Sequence, residues 1–228
     1  MRISEKGKRK EKRGLGVGTD YKPYIKAREF NSLGTCSNYV DWKNQRQYEF
    51  LSQTELQVFI TYRWDDNVVD IREQFPLDNI LVEKILREKN SELRKKGQKL
   101  IKSPVVNGNP MTTDLLVFYK DRHKEAISVK YDKNTLTNRD IEKLWIEKMY
   151  WKNQGVDWNL VDAAMINKVL VHNVMLVTEF YDKSRVFDKI SLIKHLIATK
   201  QLIVNLEDEI LDFSQLLNEL ENKGCKYE

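Results

Sequence analysis

Two carboxylates and one lysine carry the chemistry that this sequence can do. Asp114 opens the short apolar run Met111-Thr112-Thr113-Asp114-Leu115-Leu116-Val117-Phe118-Tyr119, Lys130 closes a second run, Ala126-Ile127-Ser128-Val129-Lys130, and Glu55 lies upstream in Leu51-Ser52-Gln53-Thr54-Glu55-Leu56. Between the runs, Lys120-Asp121-Arg122-His123-Lys124 is short and polar enough for a hairpin turn, so the two are expected as neighbouring strands. Alternation then puts Ser128 and Lys130 on one face and turns Ile127 and Val129 toward the core. A carboxylate and an ammonium meet at one sheet edge.

That is the layout of a metal-dependent nuclease. Hydrolysing a phosphodiester needs a nucleophilic water, a neutralised anionic transition state and a stabilised leaving oxygen, and a divalent cation held by carboxylates serves all three. Magnesium takes hard oxygen ligands and keeps several waters, so one or two carboxylates suffice. Asp114 is the expected bridging or principal ligand. Glu55 and the backbone carbonyl of Val129 complete the set, and Lys130 orients the attacking water or offsets its charge.

Each member also has a plain structural reading. Ser52-Gln53-Thr54-Glu55 has the pattern of a capping box, in which Glu55 only returns to the helix start. Asp114 after two threonines suits a turn, and a lysine near a strand end suits solvent. His123, His172 and His195 are dispersed, and Ser128 has no histidine partner that would make it a nucleophile.

The elements that must position these residues follow from periodicity. A helix runs from Ser52 to about Arg63 with Leu56, Phe59 and Ile60 inside, and Val68 to Phe75 reads as a strand ended by Pro76. Asn79 to about Lys96 is helical, with Leu81, Val82, Ile85 and Leu86 inside and Gly97 as its stop. Asn138 caps a helix to about Asn153, with Ile141, Leu144, Trp145 and Met149 inside, and Val156 to Val161 is a returning strand. From about Asp162 onward, apolar residues recur at helical spacing, with Gln201-Leu202-Ile203-Val204 as a short strand or wing. The expectation is an α/β core followed by a small, mostly helical domain.

In 228 residues with a net charge of +5, the distribution of charge says more than its size. Arg2, Lys6, Lys8, Arg9, Lys10, Lys12 and Arg13 precede Gly14, Gly16 and Gly18 and read as a flexible basic arm over residues 1–19. Lys84, Arg87, Lys89, Arg94, Lys95, Lys96, Lys99 and Lys102 form a second basic cluster, whereas Glu207 to Glu221 is acidic. A basic front half suits a polyanion, with Lys8, Arg9, Lys10, Arg13, Lys95 and Lys96 as the expected DNA contacts. Solvated faces would read the same way. No apolar run is long enough to cross a bilayer, and Cys36 and Cys225 form neither a disulfide framework nor a zinc pattern, so a reducing cytoplasm is expected.

Several phrases together resemble the TnsA family, the endonuclease subunits of heteromeric cut-and-paste transposases. They are Thr54-Glu55-Leu56-Gln57-Val58-Phe59, Asp70-Ile71-Arg72-Glu73-Gln74-Phe75-Pro76-Leu77, Pro110-Met111-Thr112-Thr113-Asp114, Ser128-Val129-Lys130 and Ile141 to Trp151. They run in order from about Asp20 to about Asn173. The resemblance implies a restriction-endonuclease-like mixed sheet flanked by helices over 20–162, and a helical, winged-helix-like domain over 163–228 for docking. It implies magnesium or manganese, and nicking of the 5′ strands of double-stranded DNA at transposon ends. A DDE-type transposase cutting the 3′ ends and an ATPase regulator are the implied partners. Carried over by position, the catalytic residues are Glu55, Asp114 and Lys130. Ser128 stands where the family pattern has a glutamine, so Ser128 and Glu147 are auxiliary candidates. A cleavage-deficient interaction subunit and a free-standing restriction or repair nuclease are the alternatives.

Overall fold

A computed structural model describes residues 3–29 and 36–222; Arg2 and Cys225 lie outside them. The chain divides into two compact units, one of Met1–Tyr39 with Arg46–Met165 and one of Val40–Gln45 with Ile166–Glu228.

In the first unit, helix α1 (Glu5–Lys10) is followed by a two-stranded sheet of β1 (Ser37–Val40) and β2 (Gln47–Phe50), and then by helix α2 (Gln53–Trp64). Strand β3 (Val68–Pro76), helix α3 (Asn79–Lys95), strands β4 (Thr112–Tyr119) and β5 (Lys124–Lys130), helix α4 (Asn138–Asn153) and strand β6 (Asp157–Asp162) complete it. The main sheet has the order β3-β4-β5-β6; its first two pairs are antiparallel and β5-β6 is parallel. This is the expected mixed α/β sheet flanked by helices, consistent with a restriction-endonuclease-like core.

Local chemistry sets the element ends. Ser52 caps α2 by accepting from the Glu55 N–H at 3.1 Å, and Asp78 caps α3 by accepting from Leu81 at 2.8 Å. Gly97 and Gly155, at φ 63° and 64°, take the left-handed conformation that stops α3 and α4. The cap of α4 is Thr137, one residue before the expected Asn138, because Thr137 and Asp140 satisfy each other reciprocally as a capping box.

Both faces of the sheet are covered. One carries Leu116 and Ala126 against Val82, Ile85 and Leu86 of α3 and Ile146, Tyr150 and Trp151 of α4. The other carries Ile71, Leu115, Val117 and Ile127, all fully buried, on the side where α2 packs with Phe59 and Ile60. The inner face of α4 differs from the expectation. Ile141 is 54% exposed, and the buried positions are Leu144, Ile146, Glu147, Tyr150 and Trp151. A glutamate at the centre of the buried face concealed the helical stripe.

The basic N-terminal segment is not the flexible arm expected of it. Residues 5–10 are helical, and the Arg13 side chain is buried in a two-pronged pair with Glu29 at 2.6 and 2.7 Å and a contact to Glu11 at 2.9 Å. Gly14, at φ 74°, lies so close to Pro76 that a Cβ would strike the proline ring. Local carboxylates and the end of β3 tie the segment down, which a count of basic residues does not reveal.

The second unit is helical, with α5 (Lys168–Thr178), α6 (Lys189–Ala198) and α7 (Phe213–Asn222). Asn173 of α5, fully buried, donates to the Leu206 and Glu209 carbonyls at 3.0 and 2.7 Å and accepts from Leu211 at 3.0 Å. It fixes the connection between α6 and α7. Residues 201–204 form no strand, so the expected wing is absent among the described residues. No helix there is long and apolar enough to cross a membrane.

Candidate active site

Asp114 lies third along β4, where the pleat is interrupted. Thr113 and Leu116 both face α4, the first through hydrogen bonds to Glu147 and Trp151 and the second through apolar packing. Strict alternation would put residues three apart on opposite faces. The register of β3 with β4 passes from Glu73↔Leu115 to Phe75↔Thr113, and between these pairs stand Gln74 and Asp114. Gln74 has φ 48°, a left-handed conformation unusual for a residue other than glycine. The kink falls at the site.

The interruption gathers the predicted groups. One Asp114 carboxylate oxygen, Oδ2, accepts from the Val129 N–H at 2.7 Å, and the other, Oδ1, lies 3.4 Å from Gln74 Nε2. The same Nε2 is 3.4 Å from Glu55 Oε2. Glu55 Oε2 also accepts from the Leu51 N–H at 3.0 Å, and Glu55 Oε1 accepts from the Ser52 hydroxyl at 3.2 Å. Glu55 therefore meets the helix start through the Leu51 N–H and the Ser52 hydroxyl, not through the Ser52 backbone N–H of the expected capping box. It secures the start of α2 and turns the same carboxylate toward Asp114, because the capping geometry aims it there.

Electrostatics ties the pair together. Burial and the charge of Asp114 push the Glu55 carboxyl up to about 8, against the opposing hydrogen bonds from Leu51, Ser52 and Gln74. Burial also raises Asp114, although the charge of Lys130, the Val129 N–H and Gln74 pull the other way. Lys130, part exposed at the end of β5, thus acts on Asp114 through its field. Asp114 keeps part of its surface open, while Glu55 is 7% exposed.

Ser128 and Glu147 sit beside this pair. Glu147, buried on α4, accepts from the Thr113 hydroxyl at 2.7 Å, and the same hydroxyl accepts from the Trp151 indole at 2.7 Å. Burial and the charge of Asp114 push Glu147 up to about 7, while Thr113, Ser128 and Lys130 pull it down. Ser128 accepts from the Trp158 indole at 3.0 Å and is 2% exposed, so its hydroxyl serves the interior. What the structure fixes on Asp114 from Val129 is the N–H, where the expectation had the carbonyl as a ligand.

The donor set suits a hard divalent cation. A buried and a partly buried carboxylate that repel each other would be relieved by a cation between them, and magnesium or manganese needs no more than one or two carboxylates beside water and phosphate oxygens. Zinc would want a closed set of nitrogen or sulfur donors, and no group of three or more His, Cys, Asp or Glu assembles among the described residues.

Of the residues expected at DNA, Arg9, Lys10, Lys95 and Lys96 are exposed. Lys96 pairs with Glu92 at 2.5 Å, Arg9 pairs with Glu5, and Lys8 lies 4.4 Å from the Tyr24 ring centre. Arg13 is buried and paired, so its charge is turned inward. Gln74 was not among the expected site residues. The signal that could have revealed it is the polar run Arg72-Glu73-Gln74 inside a strand read as part of the core.

Residues 65–163 match the family described as TnsA-like endonuclease N terminal. The chain is 36% identical over 169 residues to the transposon Tn7 transposition protein TnsA of Escherichia coli, a match that covers 72% of this chain and 58% of that protein. It therefore spans somewhat over half the length of that relative. On the strength of the matched segment and of that identity, residues 65–163 belong to the TnsA-like endonuclease N-terminal family.

Proposed function

We propose that this chain is a metal-dependent DNA endonuclease subunit of a cut-and-paste transposase, nicking the 5′ strands at transposon ends in concert with a DDE-type transposase and an ATPase regulator. One observation carries the reading: carboxylates from α2 and β4 converge on Gln74 Nε2 at 3.4 Å each, with the Lys130 charge acting on Asp114. Glu55 and Asp114 would hold magnesium or manganese, which supplies Lewis-acid polarisation of a phosphate and a lowered pKa for water. The rest is done by side chains. Val129 fixes one Asp114 oxygen through its N–H, so the orientation of that carboxylate is set before substrate arrives. Lys130 places positive charge where the phosphodiester gains negative charge. Glu147, with its carboxyl near neutrality, can hold or release a proton beside Asp114.

The test is nicking of a plasmid bearing the element ends by the chain reconstituted with its partner transposase and ATPase. Asp114→Ala and Lys130→Ala are expected to abolish 5′-strand cleavage and leave far-ultraviolet circular dichroism unchanged. Cleavage retained by either variant, beside an active parent complex, rules out this site. The cleavage-deficient reading draws on the interior role of Ser128. Magnesium calorimetry separates the two readings, because only an active site loses stoichiometric binding in Asp114→Ala. A free-standing nuclease would instead cut DNA without partners.

A further inference from the structure

We propose that Gln74 is a positioning residue whose side-chain amide spans Glu55 and Asp114 and sets the gap that a divalent cation enters. This rests on the nuclease reading above and adds to it a residue that the expected site of Glu55, Asp114 and Lys130 did not contain.

Three independent features converge on the amide. Its nitrogen lies 3.4 Å from a carboxylate oxygen of each residue, and the two belong to elements distant in sequence, α2 and β4. A primary amide has two N–H donors, one for each carboxylate. Its oxygen accepts from the Thr112 hydroxyl at 3.0 Å, and the nitrogen faces the acids, the orientation that sets donors rather than an acceptor against their oxygens. The backbone is left-handed at φ 48°, a conformation that costs free energy in a residue with a side chain, and the side chain is 1% exposed.

The neighbours hold this conformation in place. Glu73, fully buried, pairs with Arg46, whose other guanidinium nitrogen donates to the Ile71 carbonyl at 3.0 Å. On the far side, the Leu77 N–H bonds to the Met111 carbonyl at 2.8 Å. A β3 segment anchored on both sides of Gln74 keeps the kink and holds the amide between the acids.

Like charges in a poorly solvated site separate or protonate unless a donor or a cation lies between them. The amide supplies the donor in the metal-free chain, at a fixed spacing. Residues that orient ligands in this way typically influence metal affinity as well as activity.

The experiment compares the full chain with Gln74→Met, which keeps the length of the side chain and removes both donors, and with Gln74→Gly, which relieves the left-handed backbone and also lacks the amide. Manganese binding, followed by calorimetry and electron paramagnetic resonance, is expected to weaken roughly ten- to a hundredfold in both variants. In Gln74→Met combined with Glu55→Gln, the loss is expected to be smaller than the sum of the two single losses, since the amide acts partly through Glu55. The side-chain amide protons of Gln74 in metal-free chain, read by nuclear magnetic resonance, should move on Glu55→Gln and on Asp114→Asn. Wild-type manganese affinity in either folded Gln74 variant, or amide resonances unmoved by both acid substitutions, overturns the proposal. Failure of the nuclease reading looks different: wild type itself takes up no manganese while the amide resonances still respond. That outcome removes the cation from the gap and so overturns the role proposed for Gln74.

Discussion

Trp151 and Glu147, one turn apart on α4, are joined through a single hydroxyl of β4: Thr113 Oγ1 accepts from the Trp151 indole and donates to Glu147, at 2.7 Å each. All three side chains are buried. Thr113→Val removes both bonds, leaving the Trp151 indole N–H without this acceptor and the Glu147 carboxyl with one donor fewer in the interior. A destabilisation of about 2 to 4 kcal/mol is expected, because each buried group that loses a partner carries its own desolvation penalty. Urea unfolding of the variant checks it, and a change under about 0.5 kcal/mol would show that the bridge contributes nothing.

The carboxylate pair makes metal-free stability depend on pH. Folded Glu55 keeps its proton to about 8, whereas an unhindered glutamate loses it near 4.5. The folded state therefore binds the proton more tightly, and its contribution, complete below about pH 4.5, disappears as pH rises through about 8. Metal-free chain should lose on the order of a few kcal/mol across that window. Glu55→Gln should flatten the slope, and saturating magnesium should oppose the loss, since it binds only the folded, ionised pair. Glu147, raised to about 7, adds a slope of the same sign that Glu147→Gln would remove. Thermal midpoints between pH 4 and 9, with and without chelator, measure all of this, and a flat wild-type curve would contradict it.

Ser128 should matter to the fold more than to metal. Ser128→Ala deprives the Trp158 indole of its acceptor, so stability is expected to fall by about 1 to 3 kcal/mol. Nicking rates should change less than about tenfold, the amount corresponding to 1.36 kcal/mol in a barrier. A larger rate loss with intact stability would make the hydroxyl part of the chemistry.

Basic residues divide by what already neutralises them. Lys10 and Lys95 are exposed, and each changed to glutamine should weaken DNA binding while reducing the slope of log affinity against log salt by about one for each phosphate no longer neutralised. Arg13→Ala should leave that slope unaltered and instead cost about 3 kcal/mol of stability, because Glu29 loses its buried partner. Fluorescence anisotropy over a salt series beside urea unfolding separates the two outcomes; an Arg13→Ala slope change without destabilisation would place Arg13 at DNA.

Much of the framework was legible because periodicity and end signals coincide. The spans of α2, α3, β3, β4 and β5 follow from Ser52, Pro76, Gly97 and alternating apolar runs, and the structure places them within a residue or two. The pairing of β4 with β5 followed from the short polar turn, and with it the approach of Lys130 to Asp114. Three things were hidden for distinct reasons. Glu147 looked like a surface glutamate because its partners, Thr113 and Ser128, are remote in sequence. Gln74 was hidden because a left-handed residue within a strand leaves no mark in an alternation pattern. The tethering of Arg13 depends on Glu29, and pairing across that distance cannot be counted from composition.

The dual service of Glu55 has a mechanical corollary. The Ser52 hydroxyl and Leu51 N–H that anchor its carboxylate belong to the helix entrance, so fraying of that first turn withdraws one acid from its opposite number. On the proposed role of Glu55, winding of that single turn also completes the centre, and a chain loosened at residues 51–55 is expected to lose cleavage while its sheet is still intact.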